Sequence, residues 1–147
     1  GGRAVDTQDL VSRLQFFYGL ELSQVRMYTL QSEAVTDPYL KQVFRHLASI
    51  EQSHVQRIKK EIEKLGEAPA KASEVIGPIT GRILGVISGA ISVDKLLRMN
   101  IELEQRAMED FRSAINALDP AHPVTSVLVE NLIDEDLHTA WFLNRLQ

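Results

Sequence analysis

Two copies of a Glu-x-x-His motif constrain the fold of this chain more than any other feature. Glu51 and His54 form the first copy, and Glu135 and His138 form the second, 84 residues later. Since residues three apart lie on the same side of an α-helix, each motif can point a carboxylate and an imidazole in one direction. If both motifs face the interior of a helix bundle, their four side chains meet in one place.

Four long segments of the chain have helical periodicity without an interrupting proline. They cover residues 6–34, 38–65, 93–118 and 123–146. Asp37 and Pro38 are typical of a helix start, because an acidic cap precedes a proline at the first helical position. Short loops follow the first and third segments, so we expect two antiparallel hairpins. These patterns predict an all-α fold, a four-helix bundle in one domain over residues 1–147.

The connection between the two hairpins, residues 66–92, is far longer than antiparallel neighbours require. One long crossover between two hairpins is the ferritin-like topology rather than a simple up-down-up-down bundle. Glycines at every fourth position from Gly77 to Gly89 favour a short helix packed closely on the bundle. Contact with a membrane surface or with another subunit is the alternative. The charge-free run from Ile83 to Val93 is shorter than the ~20 residues of a membrane-spanning helix.

The second hairpin repeats the first at a nearly constant offset. A lone glutamate precedes each Glu-x-x-His motif by about thirty positions, and these two, Glu21 and Glu104, are 83 residues apart. The third helix also contains Glu102 and Glu109, but the helical neighbours of Glu104 are apolar and those of Glu102 are polar. We therefore predict that Glu104 faces the core and that Glu102 is solvated, with Arg106 as its partner.

An inward face is also expected for the remaining three glutamates, because their neighbours three, four and seven positions away are mostly apolar. A single glutamate in such a setting is often a boundary residue that reaches water. Four together would repel one another, and each burial would cost several kcal/mol or force protonation. Two divalent cations would neutralise them. The predicted metal ligands are Glu21, Glu51, His54, Glu104, Glu135 and His138.

The composition excludes several other kinds of site. With no cysteine among 147 residues, the chain has no thiol nucleophile, disulfide or thiolate-held iron–sulfur centre. A net charge of −4 gives no indication of nucleic-acid binding. His46 and His122 lack a paired setting, and we predict that both are structural. Residues 1–10 contain no apolar segment behind a basic end, so we expect no secretory signal and a cytoplasmic location.

Carboxylates combined with imidazoles form a hard ligand set that suits iron, manganese or, less well, zinc. We expect two iron ions, because a carboxylate-bridged iron pair can cycle between the ferrous and ferric states. Manganese or a mixed pair is the alternative.

The ligand set and the first helix resemble the rubrerythrin-related branch of the ferritin-like superfamily. Between Glu21 and Tyr28 a glutamate is followed seven residues later by a tyrosine, as in the first helix of rubrerythrins. The resemblance implies that Tyr28 donates a hydrogen bond to a ligand carboxylate. Phe111, at the equivalent place in the third helix, cannot repeat that role.

The resemblance also implies a supporting contact for one histidine. Metal-bound histidines usually donate their second ring N–H to a carboxylate or carbonyl. In relatives with Asp-Glu-x-x-His, the aspartate reaches the histidine of the opposite motif, so Asp134 would hold His54. Ile50 stands at the equivalent place before the other motif. We therefore expect two chemically unequal metals.

These features indicate a di-iron redox protein that reduces peroxide or dioxygen. Full rubrerythrins carry a cysteine-ligated iron that supplies electrons, and a chain without cysteine requires an external electron donor. Alternatives are a ferroxidase or iron-handling domain, or a quinone-type hydroxylase. The glycine-rich segment before the third helix resembles the corresponding part of such hydroxylases. A helical interaction module without metal is the alternative outside metal chemistry. Related domains usually dimerise, so we expect a homodimer.

Overall fold

The computed structural model describes residues 6–71 and 92–147. These ranges contain four α-helices and no β-strand, which confirms the predicted all-α class. The helices are α1 (Thr7–Ala34), α2 (Pro38–Lys64), α3 (Val93–Ala117) and α4 (Pro123–Leu146). Each bound lies within one residue of the bound predicted from periodicity.

Local capping explains where the helices begin and end. In each first turn a side chain accepts a hydrogen bond from a backbone N–H, and these caps are Asp6, Asp37, Ser92 and His122. Asp37 therefore caps α2 as its sequence setting predicts. His122 caps α4 through its ring Nδ1, 3.1 Å from the N–H of Val124, which gives it the predicted structural role. Gly66 follows α2 with φ of 82°, a left-handed conformation that glycine adopts readily.

The four helices form two antiparallel hairpins that face each other. In the first, Tyr28 stacks on Phe44, while Glu21, earlier on α1, lies beside His54, later on α2. In the second, α3 packs against α4.

Contacts between the hairpins join α1 to α3 and α2 to α4, also in antiparallel directions. Phe17 stacks on Phe111, with ring centroids 4.4 Å apart, at one end of the α1–α3 pair. Gln31 and Asn100 pair at the other end, each amide donating to the other at 2.8 Å. Both of these amide side chains are fully buried. The arrangement is a ferritin-like four-helix bundle.

Two apolar clusters fill the bundle, and polar side chains separate them. The first cluster contains Met27, Tyr28, Val35, Leu40, Phe44, Leu47, Leu96, Leu97, Ile101 and Phe142. The second contains Leu10, Leu14, Phe17, Ile58, Ile62, Ala107, Phe111, Ala114, Leu118, Val124 and Leu128. The polar side chains between the clusters are therefore kept from water by packed apolar layers.

Most of the long connection lies outside the described residues. The predicted short helix and its glycine stripe fall within residues 72–91, which are not described. Among the helices of residues 6–71 and 92–147, none has the length and apolar character needed to cross a membrane.

The Phe17 and Phe111 stack should be a main source of stability. We predict that Phe17→Ala lowers the free energy of unfolding by roughly 3–5 kcal/mol, because it leaves a cavity at a buried aromatic position. Phe16→Ala is the matched control, since the neighbouring ring is 55% exposed, and its effect should stay below about 1 kcal/mol. Guanidinium denaturation followed by circular dichroism measures both. Equal losses would contradict the packing.

Candidate metal centre

The six predicted ligands lie together in the middle of the bundle. The lone glutamates come from α1 and α3, and the two Glu-x-x-His motifs come from α2 and α4. All four glutamates and His54 are fully buried, and His138 is 7% exposed. The side chains involved are Glu21, Glu51, His54, Glu104, Glu135 and His138.

Their donor atoms form two overlapping groups, in each of which four atoms lie within 4.8 Å of one another. The first group contains Glu21, Glu51, His54 and Glu135. The second contains Glu51, Glu104, Glu135 and His138. Glu51 and Glu135 belong to both groups, so each could bridge two neighbouring ions. Either group could hold one metal ion.

Unpaired oxygen atoms show that the cluster fits cations. Each of the four glutamates has a buried carboxylate oxygen without a hydrogen-bond partner among the described residues. Such an oxygen costs free energy unless it finds a donor, a proton or a cation. Two divalent cations would carry a charge of +4 against −4 from the carboxylates. Oxygen and imidazole donors suit iron or manganese.

His54 links the cluster to a partly exposed carboxylate. Its Nδ1 lies 3.3 Å from Glu21 Oε2 and 3.4 Å from oxygens of Glu51 and Glu135. Its Nε2 lies 2.7 Å from Asp134 Oδ2, the contact that the family resemblance implies. Burial alone would lower the pKa of His54, but hydrogen bonds to the three glutamates outweigh it and raise that pKa above its ordinary value.

His138 has a different environment. Its Nδ1 lies 3.3 Å from Glu51 Oε1, yet it has no hydrogen bond of good geometry within the described part of the chain. Burial lowers the pKa of His138 below its ordinary value. The pKa values of the two histidines are therefore shifted in opposite directions. The two halves of the centre are chemically unequal.

Burial also perturbs the carboxylates and the nearby tyrosine. It raises the pKa of Glu135 to about 8, with the charge of Glu51 adding to the effect. The pKa values of Glu21 and Glu51 are raised for the same main reason. Burial, with the charge of Glu51 next, raises the pKa of Tyr28 well above its ordinary range, so its hydroxyl keeps its proton.

The hydroxyl of Tyr28 donates a hydrogen bond to a carboxylate of the cluster, at Glu104 Oε1. The ring stacks near Phe44 and Phe142, which hold it in the apolar layer above the site. Phe111, the counterpart of Tyr28 on α3, packs against Phe17 instead. Only one of the two equivalent positions supplies a hydrogen-bond donor.

The predicted phase of α3 is confirmed. Glu104 is fully buried, whereas Glu102 and Glu109 are exposed. The predicted pairing of Glu102 with Arg106 does not form among the described residues, and both side chains are exposed. His46 is exposed and does not join the centre.

Gln24 is a residue of the centre that the sequence analysis missed. It lies one turn after Glu21 on α1, is 1% exposed, and places its carboxamide among the four glutamates. A signal was present in the sequence, because Glu21, Gln24, Tyr28 and Gln31 form a polar stripe on an otherwise apolar helix face. An uncharged glutamine attracts less notice than a buried carboxylate.

The fold and the site define a class: helix bundles with a buried carboxylate and histidine cluster that could hold metal ions. The family model of the ferritin-like domain matches residues 19–147. The match covers most of the chain, so the chain belongs to the ferritin-like domain family. No curated protein matches it.

Titration of the cluster should make the metal-free protein less stable as pH rises. A carboxylate with a raised folded pKa is stabilised while protonated, so its contribution is lost between its unfolded pKa of 4.5 and its folded pKa, about 8 for Glu135. The raised pKa of His54 acts in the same direction above its ordinary value of 6.5, and the lowered pKa of His138 acts in the opposite direction below 6.5.

We therefore expect the free energy of unfolding of the metal-free protein to fall by several kcal/mol between about pH 5 and pH 8, since one pKa unit corresponds to about 1.4 kcal/mol. Urea titrations across this range, with chelator present, measure it. Bound divalent metal should remove the slope, because a cation favours the ionised carboxylates. A stability that rises steadily to pH 8 without metal would contradict the charge arrangement.

Substitutions on α3 should show that metal binding depends on the buried Glu104 and not on the exposed Glu102. Glu104→Ala should remove at least one metal ion per chain, since Glu104 supplies a donor atom to the second group. Glu102→Ala should leave metal content unchanged, because Glu102 is exposed on another face. Elemental analysis after loading with Fe(II) compares the two variants. Loss of metal in the Glu102 variant alone would overturn the assignment.

Proposed function

We propose that this protein is a di-iron redox protein of the rubrerythrin-like kind, which reduces peroxide or dioxygen with electrons from an external donor. The observation that carries the proposal is the pair of overlapping donor groups that share Glu51 and Glu135. Two shared carboxylates would keep two ions close together. Glu21 and His54 would complete one position, and Glu104 and His138 the other. When bound, an iron pair supplies two electrons to an O–O bond.

The burial of the cluster favours a small oxidant. Five of the six side chains have no exposed surface, and His138 is 7% exposed. A quinone-sized substrate would have to displace packed side chains to contact these groups. Peroxide and dioxygen are small enough to reach a site enclosed by packed side chains. The geometry therefore supports the proposed activity over hydroxylation of a quinone-like molecule.

Two side chains next to the cluster would position its ligands. His54 connects oxygens of the cluster to Asp134, whose side chain is 32% exposed. With Nδ1 of His54 facing the cation, its Nε2–H would donate to Asp134, which would fix the orientation of the imidazole and strengthen it as a ligand. Tyr28 keeps its proton and donates a hydrogen bond to Glu104, which holds that carboxylate in place.

Electrons must come from a separate donor, because the chain has no cysteine to hold a second iron centre. We further propose a cytoplasmic location and a homodimer as the setting for this chemistry. The homodimer follows from the resemblance, since related domains usually dimerise.

Iron oxidation with release of the product is the second candidate. It is favoured by the position of Asp134, which places a partly exposed carboxylate at the outer edge of the cluster, where an arriving cation could first bind. The two candidates differ in what happens to iron after oxidation. A redox enzyme retains its pair through many turnovers, whereas an iron-handling protein releases it.

The test is anaerobic loading with Fe(II) followed by hydrogen peroxide. We expect two irons per chain, a ferric absorption band in the near ultraviolet, and consumption of one peroxide per two irons. Repeated cycles after addition of a chemical reductant, with iron retained through desalting, support the redox enzyme. Loss of the ferric iron during desalting supports iron handling instead. A protein that binds no iron under these conditions would refute the proposal.

A further inference from the structure

The carboxamide of Gln24 lies inside the candidate metal centre and contacts both donor groups. One end of the amide is 3.4 Å from Glu104 Oε1 and 3.4 Å from Glu135 Oε2. The other end is 2.9 Å from Glu51 Oε2 and 3.0 Å from Glu21 Oε2. A buried glutamine side chain therefore meets all four carboxylates.

The short contacts determine which way the amide points. If its oxygen faced Glu51 and Glu21, it would lie 2.9 and 3.0 Å from their carboxylate oxygens, which are also acceptors. With the nitrogen on that side, the NH2 group donates one hydrogen to each carboxylate at these distances. The better orientation is therefore nitrogen toward Glu21 and Glu51, and oxygen toward Glu104 and Glu135.

In this orientation the amide oxygen has no donor. It faces two carboxylate oxygens at 3.4 Å, and an amide offers hydrogens only at its nitrogen. A buried acceptor opposite other acceptors needs a proton or a cation between them. Amide oxygens are neutral ligands that bind hard metal ions alongside carboxylates.

We infer that Gln24 is a seventh residue of the metal centre. Its nitrogen holds Glu21 and Glu51, and its oxygen is a ligand of the cation bound among Glu51, Glu104, Glu135 and His138. The inference rests on the proposed function in one respect, that the cluster binds two metal ions.

The internal repeat has no second residue equivalent to Gln24, so only one of the two cation positions gains an amide ligand. Gln24 follows Glu21 by three residues, and the residue three after Glu104 is Ala107, which is buried and has no polar side-chain atom. One cation position therefore has an additional neutral ligand that the other lacks. The two ions should bind with different affinities, and Gln24 should set the difference.

The test compares wild-type protein with Gln24→Met, which preserves length and removes both polar ends. Anaerobic calorimetric titration with Fe(II) should show two sites in the wild type. In Gln24→Met one of them should weaken by roughly 10–100-fold, the usual effect of removing a group that supports a metal site. The d–d absorption of the Co(II)-loaded protein should change as well, because one ion loses a ligand.

Two further variants exclude simple unfolding. Gln31→Met removes a buried glutamine from the same face of α1, but its amide pairs with Asn100 and not with the cluster. It should bind two Fe(II) with wild-type affinities. Gln24→Glu keeps an oxygen at the same place and should retain the second metal.

The outcomes separate the inference from the proposed function. If wild type binds two metals and Gln24→Met binds them with the same affinities and Co(II) spectrum, the inference is wrong and the proposed function stands. Equal metal loss in the Gln31 and Gln24 methionine variants, or loss of the second metal in Gln24→Glu, also overturns the inference. A wild type that binds no metal overturns both.

Discussion

Four buried carboxylates at the centre of the bundle are the constraint on which the rest of the structure depends. Like charges at such short distances in a poorly polarisable interior repel strongly, so the fold is stable only where each charge is neutralised or balanced. One histidine, one tyrosine and one glutamine supply part of that balance in the protein itself. The carboxylate oxygens that still lack a hydrogen-bond partner could be neutralised by cations. The apolar clusters on both sides keep water from reaching these oxygens and donating hydrogen bonds to them.

The two hairpins are alike in backbone arrangement but unlike in side chains around the site. At equivalent places α1 carries Gln24 and Tyr28, whereas α3 carries Ala107 and Phe111. The repeat thus brings two candidate ligand sets together, while the residues that differ place polar side chains next to the site on α1 alone. A pair of metals with unequal surroundings is useful where one ion must change coordination more readily than the other. The asymmetry resides in single side chains and leaves the helix bounds unaffected.

Much of this arrangement could be predicted from the sequence, and the remainder has a physical reason. Periodicity identifies which face of a helix is buried, so the inward positions of Glu21 and Glu104 followed from their apolar neighbours. The contact between Asp134 and His54 came from the family resemblance, because it depends on the axial register of α2 against α4, and no local pattern encodes register. Gln24 was missed because an uncharged amide on an apolar face has many structural explanations. Its position between carboxylates is visible only in three dimensions.

The buried pair of Gln31 and Asn100 bears on how the chain avoids mispairing. Because the hairpins share a backbone arrangement and a ligand pattern, two first hairpins from different molecules could pair in place of the correct partners. In such a swapped pairing the place of Asn100 would be taken by Phe17, its counterpart in the repeat. Gln31 would then face an aromatic ring, and its buried amide would lose both hydrogen bonds, at a cost of about 1–3 kcal/mol for each unsatisfied group. A single polar pair away from the candidate metal ligands can thus select the pairing of hairpins from one chain, which is also the pairing that brings Asp134 to His54.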